Sequence, residues 1–487
     1  MCGVVGLIGT SQAAQESFLS LTTLQHRGQD AAGILTYDDS GFHRVKNLGL
    51  VDSVFSRENM SELTGSVALG HVRYGTAGTG GLIEVQPFLM SYPYGLGMVH
   101  NGNLLNAKEL AKELRLKEKR HLLTASDTEV LLNLFAQGLV SDSETLEFSQ
   151  ICQSVERLFK KCQGSYSVVT LIADYGLVAF RDPMGIRPLV LGKKEVDGKT
   201  AYLVASEVVA LYLNDYEWVR DVEPGEVLWI QPSGKVESRI LETQPQKPCM
   251  FEWIYFASPE SILDSVPVYG TRIELGKALG KRVKEKLKSL GFQPDLIVPV
   301  PETSRIAAIS MAEEMKLPYR ELLIKNRYIK RTFILDSQEK RKSAVRLKLS
   351  PVKSELRGKN VILVDDSIVR GTTSQKLVEL VKEAGANQVY FVSTCPPIRY
   401  PCFYGIDFPN QKELLAYQKD DEQIKEAMGA DAVIYQDLEG LVKSIQSASL
   451  GDKKIDPCLA CLTGNYPTGN PDFKKMTQLR DQDRRSS

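Results

Sequence analysis

The chain has 487 residues, with 60 lysines and arginines balanced by 60 aspartates and glutamates, and 43% of it is hydrophobic. That length exceeds what one core usually supports, so two domains are expected, and the even charge leaves no overall field to draw in nucleic acid or an anionic membrane. The longest apolar stretches, such as 165–180, are broken by Asp174 and too short to cross a bilayer. No basic-then-apolar leader opens the chain, so a cytoplasmic protein is expected, and eight cysteines are too few for a disulfide scaffold of this size.

Cys2 directly follows Met1 in Met1-Cys2-Gly3-Val4-Val5-Gly6. Removing one residue would leave a thiol and a free α-amino group on the same residue. Such an amine, with an ordinary pKa of about 8, is close enough to neutrality to take the thiol's proton, as in N-terminal nucleophile hydrolases. The resulting thiolate attacks carbonyl carbon. The alternative is a small hydrophobe opening a strand from Gly3 to Gly9.

Up to about residue 230, short apolar strands (67–69, 167–172, 177–180, 202–205) mix with helical stretches (11–25, 106–114, 127–137), which predicts stacked sheets flanked by helices. Cys152 and Cys162 flank a further helical stretch and read as buried small hydrophobes. Four segments place polar groups at strand ends or turns: His26-Arg27-Gly28-Gln29-Asp30, His71-Val72-Arg73-Tyr74-Gly75-Thr76, His100-Asn101-Gly102-Asn103 and Ser126-Asp127-Thr128. Arg73 can pair bidentately with an α-carboxylate and Asp127 can hold an α-ammonium group. Asn101 and the Gly102 amide can donate to an oxyanion. Taken singly, His26, His71 and His100 read as structural histidines and Asn101-Gly102 as a tight turn.

From Gln231 to Pro248 the sequence turns polar and proline-punctuated, as an interdomain connection does. A second domain is expected from Cys249. Its helix at 269–290, strand at 295–300, helix at 304–315, strand at 360–364 and helix at 373–384 alternate as in a parallel, doubly wound sheet, whose ligands bind at the carboxyl ends of the strands. After about Leu441 the chain reads as loop, ending in a polar tail expected to be disordered after Lys474.

The most specific segment is Val361-Ile362-Leu363-Val364-Asp365-Asp366-Ser367-Ile368-Val369-Arg370-Gly371-Thr372-Thr373-Ser374. An apolar strand delivers two carboxylates to its end, where they can accept bonds from sugar hydroxyls or hold a hard cation. Gly371 admits close backbone approach, and Thr372, Thr373 and Ser374 supply hydroxyls and amides at a helix N-terminus suited to a phosphate. The loop Pro299-Val300-Pro301-Glu302-Thr303-Ser304 is expected at the same sheet edge, within reach of a diphosphate and its metal. The basic run Lys325-Asn326-Arg327-Tyr328-Ile329-Lys330-Arg331-Thr332, continuing to Lys348, is either a solvated face or a cationic lid closing on that diphosphate. Cys249, Cys402, Cys458 and Cys461, the last two in a Cys-x-x-Cys pair, could together hold an iron-sulfur cluster or a zinc ion.

The 361–374 segment matches the signature of type I phosphoribosyltransferases, which bind phosphoribosyl pyrophosphate (PRPP) with magnesium. The Cys-Gly-Val-Val-Gly start and the four polar segments resemble class II glutamine amidotransferases. Joined in this order, the halves resemble the amidophosphoribosyltransferase family, of the iron-sulfur-containing type, from Met1 to about Thr468. The resemblance implies an α+β N-terminal nucleophile hydrolase domain (an αββα sandwich, 2–235), an α/β type I phosphoribosyltransferase domain with a parallel doubly wound sheet (249–440) and a carboxyl-terminal segment (441–487). It implies that Cys2 attacks glutamine with Asn101 and Gly102 assisting, and that His26, Arg73, Tyr74, Thr76 and Asp127 line the glutamine pocket. PRPP would be held by Asp365, Asp366, Ser367, Val369, Arg370, Gly371, Thr372, Thr373, Ser374, Lys325 and Arg331, and Mg2+ by Thr303, Asp365 and Asp366. A [4Fe-4S] cluster would sit on Cys249, Cys402, Cys458 and Cys461, with Cys395 left out because Cys402 occupies the matching Pro-Cys-Phe-Tyr-Gly-Ile-Asp motif. Cluster-bearing members often carry a longer propeptide; here removal of Met1 is expected to suffice. The implied activity is transfer of ammonia from glutamine to PRPP, giving 5-phosphoribosylamine, the first committed step of purine biosynthesis, in a homotetramer inhibited by purine nucleotides. Of two rival readings, a different amidotransferase feeding ammonia to a sugar phosphate or an acyl-adenylate would lack the Asp365–Ser374 loop, and a PRPP-sensing regulator would need a DNA-binding segment that the sequence does not offer and would have no use for an amino-terminal cysteine.

Overall fold

The computed structural model describes residues 2–75, 81–140, 145–326, 349–408, 410–451, 454–469 and 473. In the first half, β1 (Gly3–Ile8), β2 (Ala31–Asp38), β3 (Gly41–Leu48), β4 (Val67–Arg73), β5 (Phe88–Met90), β6 (Leu96–Leu104), β7 (Gly164–Ile172), β8 (Gly176–Arg181), β9 (Val190–Val196), β10 (Lys199–Ala205), β11 (Glu217–Asp221), β12 (Glu226–Ile230) and β13 (Val236–Ile240) form two sheets. One runs β11-β9-β10-β1-β4-β2-β3 and the other β13-β12-β8-β7-β6-β5. Side chains alternate between faces with a period of two. Val4 and Ile8 of β1 therefore meet Val99, Val169 and Leu171 between the sheets, while Val5 and Leu7 pack outward with Leu21 and Leu24, at the helix Ala13–Thr23. Helices Asp127–Leu139 and Phe148–Lys161 cover the other outer face. Both faces of each inner strand are thus buried, which is why these strands read as near-continuous apolar runs. This is the expected αββα sandwich, and Cys152 and Cys162 are buried in it as expected.

β1 lies inside its sheet, with Gly3 opposite Val72 and Val4 opposite His71. Cys2 is thereby delivered to the Arg73 end of β4.

The second half carries a four-stranded parallel sheet of Leu296–Pro299, Asn360–Asp365, Gln388–Ser393 and Ala432–Tyr435 in that spatial order. Helices Val268–Ser289 and Arg305–Met315 pack on one face, and Thr372–Glu383 and Asp421–Met428 on the other. The sheet is doubly wound, so the loops after residues 299 and 365 share one edge.

Two boundaries differ from expectation. β13 extends the second sheet to Ile240, past residue 235, because a mostly exposed edge strand is polar enough to read as linker. The helix Leu438–Ser447 runs through 441, where loop was expected, burying Leu441, Ser444 and Ile445. The tail after Lys474 lies outside the described residues.

Candidate active sites

At the end of β1 the Cys2 backbone nitrogen donates to Asn101 Oδ1 at 3.2 Å, and its sulfur lies 3.9 Å from the Tyr74 carbonyl oxygen. The Asn101 amide nitrogen Nδ2 is buried with no hydrogen-bond partner among the described residues. An orphaned buried donor is costly unless something is to be bound there, and this one belongs to the side chain that accepts from the Cys2 nitrogen. Gly102 follows it on β6, where a Cβ would collide with the Ser165 carbonyl oxygen. Only glycine lets β6 lie that close to β7.

Arg73 is 9% exposed and its guanidinium donates to Glu84 at 3.0 Å. Asp127 starts the helix Asp127–Leu139 and accepts from the Leu104 amide at 3.1 Å, with His100 Nδ1 3.7 Å away. Burial pushes the Asp127 carboxyl up, but His100 and the amides of Leu104 and Thr128 outweigh it and hold the group below its ordinary value. An ionised carboxylate is thus maintained near Asn101 and Gly102. Both ring nitrogens of His26 are engaged, Nε2 with Glu207 at 2.9 Å and Nδ1 with the Thr23 carbonyl at 3.0 Å. Thr76 lies outside the described residues.

In the second half, Asp365 and Asp366 end their strand half-buried. Their main-chain oxygens accept the amides of Thr394 and Cys395 at 3.0 and 2.9 Å, which pins the pair to the next strand. Burial, then the Asp366 charge, pushes the Asp365 carboxyl well above its usual range. Burial pushes Asp366 up to about 6, against the pull of the Ser367 hydroxyl and the Arg272 guanidinium. Two adjacent buried carboxyls raised in this way would be favoured in their charged form by a cation or by the hydroxyls of a sugar.

Gly371 has φ +77°, and a Cβ there would stand 2.7 Å from Leu415 Cδ2, so glycine is required on both counts. It caps the 12-residue helix Thr372–Glu383, at whose N-terminus Thr372 and Thr373 are exposed and Ser374 is buried. The Val369 carbonyl accepts from Leu415 at 2.8 Å, and Arg370 pairs with Glu413 at 3.2 Å. Thr303 is half-buried in the loop at the same sheet edge, and Lys325 approaches that loop through Glu302 at 3.8 Å. Arg331 and the rest of 327–348 lie outside the described residues.

Cys249, Cys402, Cys458 and Cys461 are buried in one apolar cluster, together with Cys395. Cys249 and Cys458 bridge backbone to backbone, and the Cys402 sulfur accepts from the Tyr404 amide at 3.3 Å. Burial pushes the Cys249 thiol up to about 11 and raises those of Cys458 and Cys461, with neighbouring thiols adding to each shift. Among the described residues, no three His, Cys, Asp or Glu side chains are grouped as ligands of a metal ion.

Sequence reasoning missed the ionic network behind Cys2. Arg27, fully buried, donates from Nε to the Cys2 carbonyl at 3.0 Å and spans Glu207 and Glu252 with its two terminal nitrogens. Its only signal was its place in the 26–30 segment. Also missed were the ties between halves: Ser165 Oγ and Arg187 Nε both donate to the Tyr404 carbonyl, at 3.0 and 2.8 Å.

The model of the glutamine amidotransferase domain matches residues 83–213, and that of the phosphoribosyl transferase domain matches 272–401. The amidophosphoribosyltransferase of Haemophilus influenzae is 44% identical over 99% of this chain and 96% of its own length. That of Saccharomyces cerevisiae is 41% identical over 97% and 93%. The solved glutamine PRPP amidotransferase of B. subtilis, complexed with ADP and GMP, is 39% identical and superimposes with a TM-score of 0.85 over 97% of this chain and 98% of that one.

Proposed function

The chain belongs to the amidophosphoribosyltransferase family, and we propose that it runs the family's reaction with Cys2 as nucleophile: glutamine, PRPP and water give 5-phosphoribosylamine, glutamate and pyrophosphate, the first committed step of purine biosynthesis. The observation that carries this reading is the placement of Cys2 against Asn101, whose second amide atom has no partner among the described residues, in a chain that also holds the Asp365–Ser374 loop.

Loss of Met1 turns the Cys2 nitrogen held by Asn101 Oδ1 into an α-amine, which takes the thiol proton. The sulfur attacks the glutamine side-chain carbonyl, and the free Nδ2 of Asn101 and the Gly102 amide receive the oxyanion. Collapse releases ammonia, to which the amine returns the proton, and leaves a glutamyl thioester that water hydrolyses to glutamate. Arg73 and Asp127 hold the α-carboxylate and α-ammonium of the substrate, and Tyr74, Thr76 and His26 are assigned to the same pocket.

Ammonia released into water at neutral pH would become ammonium and lose its lone pair, so it crosses to the second site by a dry passage. It attacks the anomeric carbon of PRPP as pyrophosphate departs. The carboxylates of Asp365 and Asp366 hold the ribose hydroxyls, and the amides and hydroxyls of 371–374 hold the 5'-phosphate. Lys325 and Arg331 would supply positive charge to the diphosphate. Asp365 and Asp366, with Thr303, would hold Mg2+, an ion commonly bound through one or two protein carboxylates together with substrate phosphates and water. When bound, the ion neutralises charge on the departing diphosphate.

We assign the four cysteines to a [4Fe-4S] cluster rather than to zinc. Four thiols in one buried core could serve either centre, and it is the resemblance to the iron-sulfur-containing type that favours the cluster. The cluster would be structural, joining the carboxyl-terminal segment to both halves. Inhibition by purine nucleotides is supported by the B. subtilis relative, solved with ADP and GMP. A homotetramer and a cytoplasmic location complete the reading; no helix of the described residues is long and apolar enough to cross a membrane.

Glutamate and pyrophosphate released from glutamine and PRPP should appear in equal amounts. Glutamate without pyrophosphate at saturating PRPP would contradict the coupling.

A further inference from the structure

We infer that Glu252, which lies beyond the sandwich, is a positioning residue for the glutamine-hydrolysing nucleophile, acting through Arg27 on the main chain of Cys2. This deepens the function proposed above and rests on it.

The Arg27 guanidinium has five donors in a rigid plane. Its Nη2 and Nη1 donate to Glu252 Oε1 and Oε2 at 2.9 and 3.1 Å, a two-pronged contact that fixes the plane of the group. With the plane fixed, Nε has one direction left, and it donates to the Cys2 carbonyl at 3.0 Å. Arg27 is 0% and Glu252 2% exposed, so no water competes for these positions. Glu207 is the other carboxylate on Arg27, and it is held in turn by the Ser258 amide at 2.8 Å and the Ser261 hydroxyl at 2.7 Å.

Glu252 is itself rigidly placed. It opens a π-helix, Glu252–Phe256, a rare element that is frequent at functional sites. Along that turn, Arg272 donates to the carbonyls of Trp253, Tyr255 and Ala257 at 2.9, 3.3 and 2.9 Å. The Arg272 charge also bears on Asp366 at the second site. One five-residue turn, held by Arg272, therefore begins on the residue that aims Arg27 at Cys2. A buried ion pair serving stability alone could be replaced by apolar groups and would have no reason to terminate on the carbonyl of the nucleophile.

The test compares the intact wild-type protein with Glu252→Gln, which keeps the shape and removes the charge. Glutamine-dependent synthesis should fall about 10–100-fold in kcat, as a displaced reacting group predicts, while KM for glutamine moves less than about 3-fold. Alkylation of Cys2 by 6-diazo-5-oxo-norleucine should slow in parallel, and synthesis from PRPP and ammonium should be unchanged. If Glu252→Gln does not fold, Glu252→Asp, which keeps the charge but withdraws it by one methylene, is read in the same way. Wild-type alkylation and glutamine kcat in the variant would overturn the inference, and so would an equal fall in the glutamine and ammonium reactions. A wild-type protein unable to use glutamine at all would instead overturn the parent reading.

Discussion

The Asn103 side-chain nitrogen donates to the main-chain carbonyl of Phe403 at 2.9 Å, joining residues 300 positions apart. Asn103 lies on β6 just beyond Asn101 and Gly102, and Phe403 follows Cys402, so this bond ties the glutamine site to the cysteine-bearing segment. Gly405 packs on the same strand, where a Cβ would stand 3.0 Å from the Gly102 carbonyl oxygen.

Asn103→Ala removes that tie at a cost of about 1 kcal/mol of stability, visible as a modest fall in Tm. The larger effect is expected on coupling: glutamate should exceed pyrophosphate in the variant, whereas the two match in the wild type. Equal amounts in the variant would show that the junction does not govern the passage of ammonia.

His71 predicts a pH dependence. Its ring is fully buried, with neither nitrogen bonded to another described residue. Burial first, then the Arg73 charge, lowers its pKa from 6.5 to about 3. Between these values the unfolded chain binds a proton that the folded chain refuses, so stability falls as pH drops below 6.5. At pH 5 the loss from this residue is about 2 kcal/mol. His71→Phe should therefore show a shallower decline of Tm between pH 7 and pH 5 than the wild type. Parallel declines would place the acid sensitivity elsewhere.

What was legible in the sequence was what is local. The 361–374 segment carries its strand, carboxylates, left-handed glycine and helix start within fourteen consecutive residues, so each part could be read from its neighbours. The Arg27 network could not, because its carboxylates lie 180 and 225 residues away and a charged residue paired in the interior leaves no trace in local periodicity. β13 was missed for the opposite reason, since an edge strand with a solvated face looks like linker. The gathering of Cys249, Cys402, Cys458 and Cys461 was foreseen only as a possibility, and their common core is a product of tertiary packing.

The cysteines predict about four iron and four acid-labile sulfide per chain in anaerobically purified protein. Cys458→Ser should lose both and loosen the carboxyl-terminal segment, measured as faster proteolysis there. Zinc in place of iron, or unchanged iron in Cys458→Ser, would refute the cluster.

The central claim is that two separable sites in one chain share a nitrogen released at Cys2. Cys2→Ala tests it most directly: synthesis of 5-phosphoribosylamine from glutamine should vanish while synthesis from added ammonium and PRPP persists near the wild-type rate. A folded Cys2→Ala protein that still uses glutamine, or that loses the ammonium reaction as well, would contradict it.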